Sequence, residues 1–301
     1  MCRVVYELKE KDLLKLDQGA QIVDLADYKM PPCIILRSDG ATLYATRDIA
    51  AALYRKDTYD FAKCLYVVAY QQDLHFRQWF KVVELMGYDW AKDLIHVSFG
   101  MVSGTDGAFS TRKGNMVKLR DVLSAACDKT YEIIREKSPD LEDKETIAKQ
   151  VGIGALIWNS LYNGRIKDVV FDWDAVLNFD GETGPYAQYT HARACSVLRK
   201  ANYAPGDVDY SQLTDAEASA VIAAIGAFPD AVVDAMEKNE PYLVTRAIIA
   251  ICAAFNKFYY EQRIMADDAA VRPARLALPD ATRKVVAIGL GLLGIAAPER
   301  M

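Results

Sequence analysis

The segment "AFSTRKGN" (108–115) places hydroxyl and cationic side chains next to a glycine. Such side chains can donate hydrogen bonds and positive charge to a phosphate group, and glycine allows a loop to close over it. The same residue types are common in any solvated loop, so the segment alone leaves phosphate binding and a plain connection open. The residues that could contact a phosphate are Ser110, Thr111, Arg112 and Lys113, followed by Gly114.

A second polar group begins in the segment "SDGATLYATRDIAAALYR" (38–55). Thr46 is a predicted helix N-cap, which places Asp48 in the first helical turn, where a carboxylate is electrostatically favoured. Asp48 could serve only to start this helix. Alternatively, Asp48, Tyr44 and Gln72 line one polar pocket, which would suit a cationic ligand and above all a planar guanidinium.

The elements around these residues predict a parallel sheet. The apolar runs "CLYVVA" (64–69) and "LIHVSF" (94–99) are typical of buried parallel strands, and "DLHFRQWFKVVELMGY" (73–88) has helical spacing that stops at Gly87. Strand, helix and strand of these lengths indicate a right-handed βαβ unit. Ligands bind beyond the carboxyl ends of such strands, so the polar residues that follow each strand lie where a nucleotide would bind.

After residue 120 the pattern is helical, and we expect the strands to stop there. Helical periodicity runs through "LRDVLSAACDKTYEIIREK" and "IAKQVGIGALIWNSLYN", and from 183 onward short Pro, Gly and Asp breaks separate further helices. The segment "FDWD" (171–174) is expected to be a packing corner between domains. The sequence therefore predicts an α/β region followed by an all-α bundle.

Composition limits the possible classes of function. The 301 residues suggest two or more domains, and 36 basic against 41 acidic residues give a net charge of −5. This balance disfavours general adhesion to nucleic acid but allows a local basic patch. Six scattered cysteines indicate reduced thiols in a cytoplasmic protein with no metal site. No secretory signal or uninterrupted apolar run of membrane-spanning length is present, so we expect no membrane association.

Five segments in order resemble arginyl-tRNA synthetases, a family of class I synthetases. The resemblance extends from about residue 20 to Met301. Five motifs in the correct order are far more specific than the loop alone. The segments are "SDGATLYATRDIAAALYR", "QQDLHFRQWFKVVELMGYDW", "FGMVSGTDGAFSTRKGN", "FDWDAVLNFDGETGPYAQYTHAR" and "LLGIAAPERM".

The resemblance implies a catalytic site for joining L-arginine to its tRNA through an arginyl-adenylate. Tyr44, Asp48 and Gln72 match the pocket for the arginine side chain, and residues 110–114 match the KMSKS loop of the class. ATP with Mg²⁺ is the implied substrate complex, with no permanently bound cofactor, and the implied location is the cytoplasm. The residues implied near ATP are His75, Gly100, Met101, Val102 and Gly114.

The helical region resembles the anticodon-binding domain of the same family. Aromatic rings and arginines are what recognition of unstacked RNA bases requires. Tyr186 and Tyr189 lie three residues apart on one helical face, so either could instead be a packing residue. The residues implied to bind tRNA are Tyr186, Gln188, Tyr189, His191, Arg193 and Met301.

The resemblance implies the C-terminal half of a synthetase, because the His-x-Gly-His signature of the family is absent. We expect a partial Rossmann-like catalytic domain (1–120), a helical connector of the stem-contact type (121–180) and a helical anticodon-binding domain (181–301). Activity of the isolated chain is not expected, and the incomplete sheet invites self-association. The alternative is a noncatalytic tRNA-binding module, a truncated paralogue or one half of a split synthetase. A different α/β nucleotide-binding enzyme would explain neither "YTHAR" nor the terminal "ERM".

Overall fold

The computed structural model of the chain describes residues 1–104, 107–108, 118–178 and 181–301. The chain divides into two compact units, a first unit (1–101) and a second unit (102–301). The predicted division at 120 and 180 stays a prediction. The helices are α1 (Cys2–Glu10), α2 (Tyr44–Tyr59), α3 (Asp73–Leu85), α4 (Leu119–Lys137), α5 (Lys144–Leu161), α6 (Trp173–Val176), α7 (Gly184–Lys200), α8 (Ala216–Gly226), α9 (Phe228–Lys238), α10 (Tyr242–Glu261) and α11 (Val271–Leu292). The strands are β1 (Leu14–Asp17), β2 (Ala20–Val23), β3 (Cys33–Leu36), β4 (Cys64–Ala69), β5 (Leu94–Phe99), β6 (Val102–Gly104), β7 (Gly107–Ala108) and β8 (Val169–Phe171).

The first unit contains the predicted βαβ element. Strands β4 and β5 pair in parallel, with Ala69 opposite Phe99 at their carboxyl ends, and α3 connects them. Trp79 of α3 is fully buried in the core of this unit. The chain turns beyond α3 at Gly87, whose φ of +84° lies in the region that glycine adopts without strain. The predicted strand, helix and strand are confirmed.

The opening of the first unit does not belong to the predicted parallel sheet. Strands β1, β2 and β3 form an antiparallel sheet in that order. The predicted N-cap at Thr46 is wrong, because α2 begins at Tyr44 after Leu43. Thr46 is fully buried, and its hydroxyl donates to the carbonyl oxygen of Ile35 at 2.5 Å. This hydroxyl ties α2 to β3, and Asp48 consequently lies beyond the first helical turn.

The second unit begins with a small sheet and a helical pair. The prediction that strands stop after residue 120 is wrong, because β8 pairs in parallel with β6, and Ser103 lies opposite Val170. A strand of three residues is too short to show a period of its own in the sequence. Helices α4 and α5 approach closely at Gly152, where an added Cβ would lie 2.7 Å from the carbonyl oxygen of Ala126.

At "FDWD", Asp172 caps the short helix α6 by accepting hydrogen bonds from the amides of Asp174 and Ala175. The Phe171 and Trp173 rings meet edge to face with centroids 4.9 Å apart. Within the second unit the segment is therefore a capped aromatic turn, and its predicted role as a corner between domains stays a prediction.

Helices α7–α11 form the predicted helical bundle. Helix α7 lies mostly inside, with ten of its 17 residues buried. Helix α10 buries Ile248, Phe255 and Phe258 completely, and α11 contributes Leu290 to the core. The interior of the bundle is therefore built mainly from its own helices, and Trp158 of α5 also packs in it.

Two stretches meet the length and composition of a membrane span, residues Ala216–Lys238 and Tyr242–Glu261. The first comprises α8 and α9, which separate at Ala227. The second is α10, whose apolar face packs in the bundle core. A core helix of a soluble protein meets the same two criteria.

Candidate functional site

The structure brings two of the predicted site residues of the first unit into direct contact. Asp48 on α2 accepts a hydrogen bond from His75 on α3, with 2.7 Å between Oδ2 and Nε2. Both side chains are partly exposed, by 41% for Asp48 and 25% for His75. Tyr44 lies one helical turn before Asp48 on α2, and Gln72 lies directly before the first residue of α3, three residues before His75. The four side chains therefore come from the starts of two neighbouring helices.

This arrangement has the chemistry of a cation-binding cleft. A carboxylate has two oxygens, so Asp48 can accept from a ligand through Oδ1 while Oδ2 accepts from His75. The ring of Tyr44 lies 5.8 Å from the Arg47 guanidinium, so it already faces a cation in this structure. Tyr44 is 75% exposed, and Gln72 is exposed as well. Their binding of arginine stays a prediction.

The residues predicted near ATP follow the carboxyl ends of the two parallel strands. Since Ala69 and Phe99 are paired, the chain segments after β4 and β5 leave the sheet at the same edge. Gly100 is buried directly after β5, and Met101 is 40% exposed. Val102 opens β6 in the second unit and is 52% exposed. The loop residues Ser110, Thr111, Arg112, Lys113 and Gly114 lie outside the described residues, and their roles stay predictions.

A cluster of tyrosines surrounds Arg193 in the second unit. The guanidinium carbon of Arg193 lies 4.9 Å from the ring centre of Tyr189, 5.0 Å from Tyr259 and 6.0 Å from Tyr260. Tyr260 is 80% exposed, and Tyr189 and Tyr259 are 42% and 40% exposed. Exposed rings beside a guanidinium offer stacking surfaces for unpaired bases. Two of these residues, Tyr189 and Arg193, belong to the predicted RNA-binding set.

The cluster borders a groove of about 520 Å³ in the second unit. Five of the fourteen lining residues are cationic and none is acidic. A local basic surface on a chain with net charge −5 matches what a polyanion would bind. Met301 also lines this groove and packs against the cluster around Ile147. The cationic lining residues are Arg193, Arg199, Lys200, Arg263 and Arg300.

Two predicted RNA-binding residues lie in the interior of the bundle. Gln188 is fully buried, and its amide nitrogen donates to the carbonyl oxygens of Gln150 and Ala296. His191 is 4% exposed, and its Nδ1 donates to the carbonyl oxygen of Pro298 at 3.0 Å. A buried side chain cannot reach an RNA, so this conformation gives both residues a role in holding the chain segment 296–298 against α7.

His191 and Cys195 are close, but they are not arranged as a reactive pair. The Cys195 sulfur lies 3.7 Å from the His191 Nε2, and both side chains are almost fully buried. Burial raises the pKa of the Cys195 thiol and lowers the pKa of His191. Both shifts favour the neutral forms, whereas a nucleophilic cysteine needs a stabilised thiolate. The pair belongs to the core.

Sequence reasoning missed three residues of the groove region, Tyr259, Tyr260 and Asn256, all on α10. The side chain of Asn256 links α7 to α10 through hydrogen bonds to Tyr186, Thr190 and Arg193. The available signal was the spacing of Asn256, Tyr259 and Tyr260, which places them within about one turn on a helix. In the described ranges, with their gaps at 105–106, 109–117 and 179–180, no cluster of three or more His, Cys, Asp or Glu could hold a metal ion.

Sequence profiles of two protein families match the chain. The profile of class I (R) tRNA synthetases, catalytic domain, matches residues 1–173. The profile of the DALR anticodon binding domain matches residues 187–301. The first match alone covers more than half of the chain.

Curated relatives and solved structures agree with these matches. An arginine–tRNA ligase of Clostridioides difficile is 56% identical over 302 residues, which cover 100% of this chain and 53% of the relative. The corresponding ligase of Halothermothrix orenii is 57% identical over 99% of this chain and 53% of its own length. The arginyl-tRNA synthetase structure of Thermus thermophilus superposes with a TM-score of 0.91 at 26% identity, covering 100% of this chain and 58% of that one. The chain spans about half the length of the curated relatives it matches.

Proposed function

Because the chain belongs to the class I (R) tRNA synthetases, we propose that it takes part in the ATP-dependent joining of L-arginine to its tRNA. The observation that carries this proposal is the pairing of Asp48 with His75 at the carboxyl edge of the parallel strands. This edge is where ligands bind in parallel α/β sheets. A partly exposed carboxylate at that edge matches the one feature that separates arginine from most amino acids, its guanidinium.

The arginine side chain would bind between α2 and α3. Asp48 accepts hydrogen bonds from the guanidinium, and paired hydrogen bonds favour a planar fork over the point charge of lysine. The exposed ring of Tyr44 covers one face of the guanidinium, as it already does for Arg47. Gln72 supplies a neutral hydrogen-bonding group at the adjoining turn. These roles follow from residue chemistry and from the neighbouring turns of the two helices.

The activation step would join the arginine carboxylate to the α-phosphorus of ATP and release pyrophosphate. Negative charge grows on the phosphates during this step, and the cations Arg112 and Lys113 would stabilise it. Ser110 and Thr111 would donate hydrogen bonds to phosphate oxygens. Mg²⁺ would enter with ATP as part of the substrate. His75 and residues 100–102 would lie near the adenylate at the sheet edge, and the reaction would take place in the cytoplasm.

The RNA partner would occupy the groove of the second unit. Tyr189, Tyr259 and Tyr260 offer rings for unstacked bases, and the cationic lining attracts phosphates. A noncatalytic tRNA-binding module is the second candidate function. The specific observation in its favour is that all groove residues come from 189–301. RNA binding would therefore need no residue of the first unit.

A chimeric enzyme would test the ligase proposal. In it, this chain replaces the matching region of the Clostridioides difficile ligase, and ATP–pyrophosphate exchange is measured against arginine concentration. We expect arginine-dependent exchange, and Asp48→Asn should weaken arginine binding by about 2–4 kcal/mol through loss of charge-assisted hydrogen bonds. The matched control is Asp57→Asn, since Asp57 lies on the same helix but pairs with Arg3.

If the folded Asp48→Asn chimera needs the same arginine concentration for exchange as the parent chimera, Asp48 does not bind the arginine side chain. A folded parent chimera without exchange, but with retained tRNA binding, would favour the noncatalytic module.

A further inference from the structure

The side chain of Asn256 connects three residues of α7. Its Nδ2 donates to the Tyr186 hydroxyl at 2.9 Å and to the Thr190 hydroxyl at 3.0 Å. Its Oδ1 accepts a hydrogen bond from Nη1 of Arg193 at 2.5 Å. Asn256 itself lies on α10 and is half-buried. Among the residues described, Arg193 is the only cation at the centre of the tyrosine cluster, and the Asn256 amide binds it directly.

The chemistry of these partners fixes the orientation of the amide. A guanidinium only donates hydrogen bonds, so the oxygen of Asn256 must face Arg193. The Thr190 hydroxyl already donates to the carbonyl oxygen of Tyr186 at 2.9 Å, so it accepts from the Asn256 nitrogen. The Tyr186 hydroxyl accepts as the second partner. Both hydroxyls therefore hold the amide in the orientation that offers its oxygen to Arg193.

This fixed oxygen restricts the guanidinium of Arg193. Arginine has a long side chain with many rotamers, and a ligand that needs one of them must otherwise bear the cost of ordering it. In the structure the guanidinium already lies 4.9 Å from the Tyr189 ring and 5.0 Å from the Tyr259 ring. The amide is neutral, so it holds the cation without cancelling its charge. A carboxylate at this place would hold the same group and neutralise it.

We infer that Asn256 is a positioning residue for RNA binding, which holds Arg193 among the tyrosines while leaving its full charge to the RNA. This inference rests on the proposed RNA-binding groove. Asn256 acts through Arg193 and makes no contact with the RNA itself. Tyr186, predicted to bind RNA directly, acts in the same way through its hydroxyl, as an anchor for the Asn256 amide.

A double-mutant cycle on the chain as it stands would test this inference. Binding of an arginine tRNA transcript is measured for Arg193→Ala, Asn256→Ala and the double variant. We expect Arg193→Ala to weaken binding by roughly tenfold or more and Asn256→Ala by roughly fivefold or more. The double variant should bind no more weakly than Arg193→Ala, because Asn256 acts only through Arg193. A merely structural role of Asn256 would instead add its effect to that of Arg193→Ala.

Two further variants keep the test decisive if Asn256→Ala disturbs folding. Asn256→Asp retains an acceptor for Arg193, but its carboxylate neutralises the charge of Arg193. We therefore expect weaker tRNA binding, and a dependence of binding on salt concentration that corresponds to about one phosphate contact fewer. Thr245→Val is the control, because Thr245 is buried on the same helix and its hydroxyl donates to the backbone carbonyl of Tyr242, within that helix. Thermal unfolding of every variant is measured alongside.

The outcomes separate the inference from the proposal on which it rests. Parent-like binding by Asn256→Ala or by Asn256→Asp, with weak binding by Arg193→Ala, would overturn the positioning role and leave the groove standing. Parent-like binding by Arg193→Ala would overturn the groove itself. Additive losses in the double variant would also overturn the positioning role.

Discussion

The two units differ in how their central elements, the parallel strands of the first and helix α10 of the second, are covered. On β4 of the first unit, Leu65 and Val67 are 47% and 65% exposed, whereas Tyr66 and Val68 between them pack against the core. In the second unit, α10 buries Ile248, Phe255 and Phe258 completely among its neighbours. Parallel sheets occur almost only with both faces covered. The first unit therefore presents an open sheet face, while the second closes its core from its own helices.

This difference separates the two proposed functions. The groove around Arg193 is built wholly from residues of the second unit, so it is formed in the chain as it stands. The cleft at Asp48 lies at the edge of a two-stranded sheet, in a chain that spans about half the length of its relatives. We therefore expect tRNA binding from the present residues alone and arginine activation only when the sheet is extended and covered.

The largest expected effect concerns the predicted phosphate loop. In the chimeric ligase, Arg112→Ala and Lys113→Ala should each slow adenylate formation by roughly 100- to 1000-fold, because they meet charge that develops in the transition state. The binding of tRNA by the second unit should stay unchanged. Lys118→Ala is the matched control, since Lys118 is an exposed cation directly beyond the loop, at the start of α4. Single-turnover adenylate formation at the parent rate in both loop variants would make the segment a plain connection.

The sequence predicted the long elements of the fold and missed those whose signal is short. Strands β4 and β5 were predictable from their apolar runs of six residues each, and helix α3 was predictable from its helical spacing. The three-residue strand β8 was not, since no period fits in it. The antiparallel β1–β3 sheet was missed because its strands have only four residues each.

In the candidate sites, too, local sequence could not predict contacts between distant residues. The sequence assigned Asp48 to the arginine pocket and His75 to the ATP site, and their hydrogen bond was not predicted because it joins two helices 27 residues apart. Gln188 and His191 look like RNA-binding residues in the sequence, but their hydrogen bonds run to backbone carbonyls of residues 150, 296 and 298. These partners lie 38, 108 and 107 residues away along the chain, so they leave no local pattern in the sequence of α7.

The open sheet face leads to a smaller predicted effect. We propose that this face supports self-association of the chain, and replacing Leu65 and Val67 by Thr should raise the dissociation constant of the dimer by roughly tenfold or more. Sedimentation velocity over a range of concentrations measures this change. Ile222→Thr is the control, because Ile222 is 49% exposed on α8 of the second unit. A parent chain that stays monomeric at every concentration would contradict the proposal.

The smallest expected effect is a pH dependence of stability in the second unit. Burial lowers the pKa of His191 below its ordinary value of 6.5, so the unfolded state binds more protons than the folded state just below that pH. The free energy of unfolding should therefore fall as the pH drops from about 6.5 toward the lower folded-state pKa. In His191→Asn, whose amide can still donate to Pro298, this fall should be smaller. Urea unfolding at neutral and acidic pH compares the parent chain with His191→Asn. An equal loss of unfolding free energy in both proteins would exclude His191 as the cause.

The central claim is that the second unit holds a formed RNA-binding groove, and a tRNA titration of the chain as it stands tests it most directly. Filter binding is measured for an arginine tRNA and an unrelated tRNA at two salt concentrations. We expect tighter binding of the arginine tRNA, which weakens as salt rises because the cations of the groove contact phosphates. Equal binding of both tRNAs, or binding that does not respond to salt, would contradict the claim.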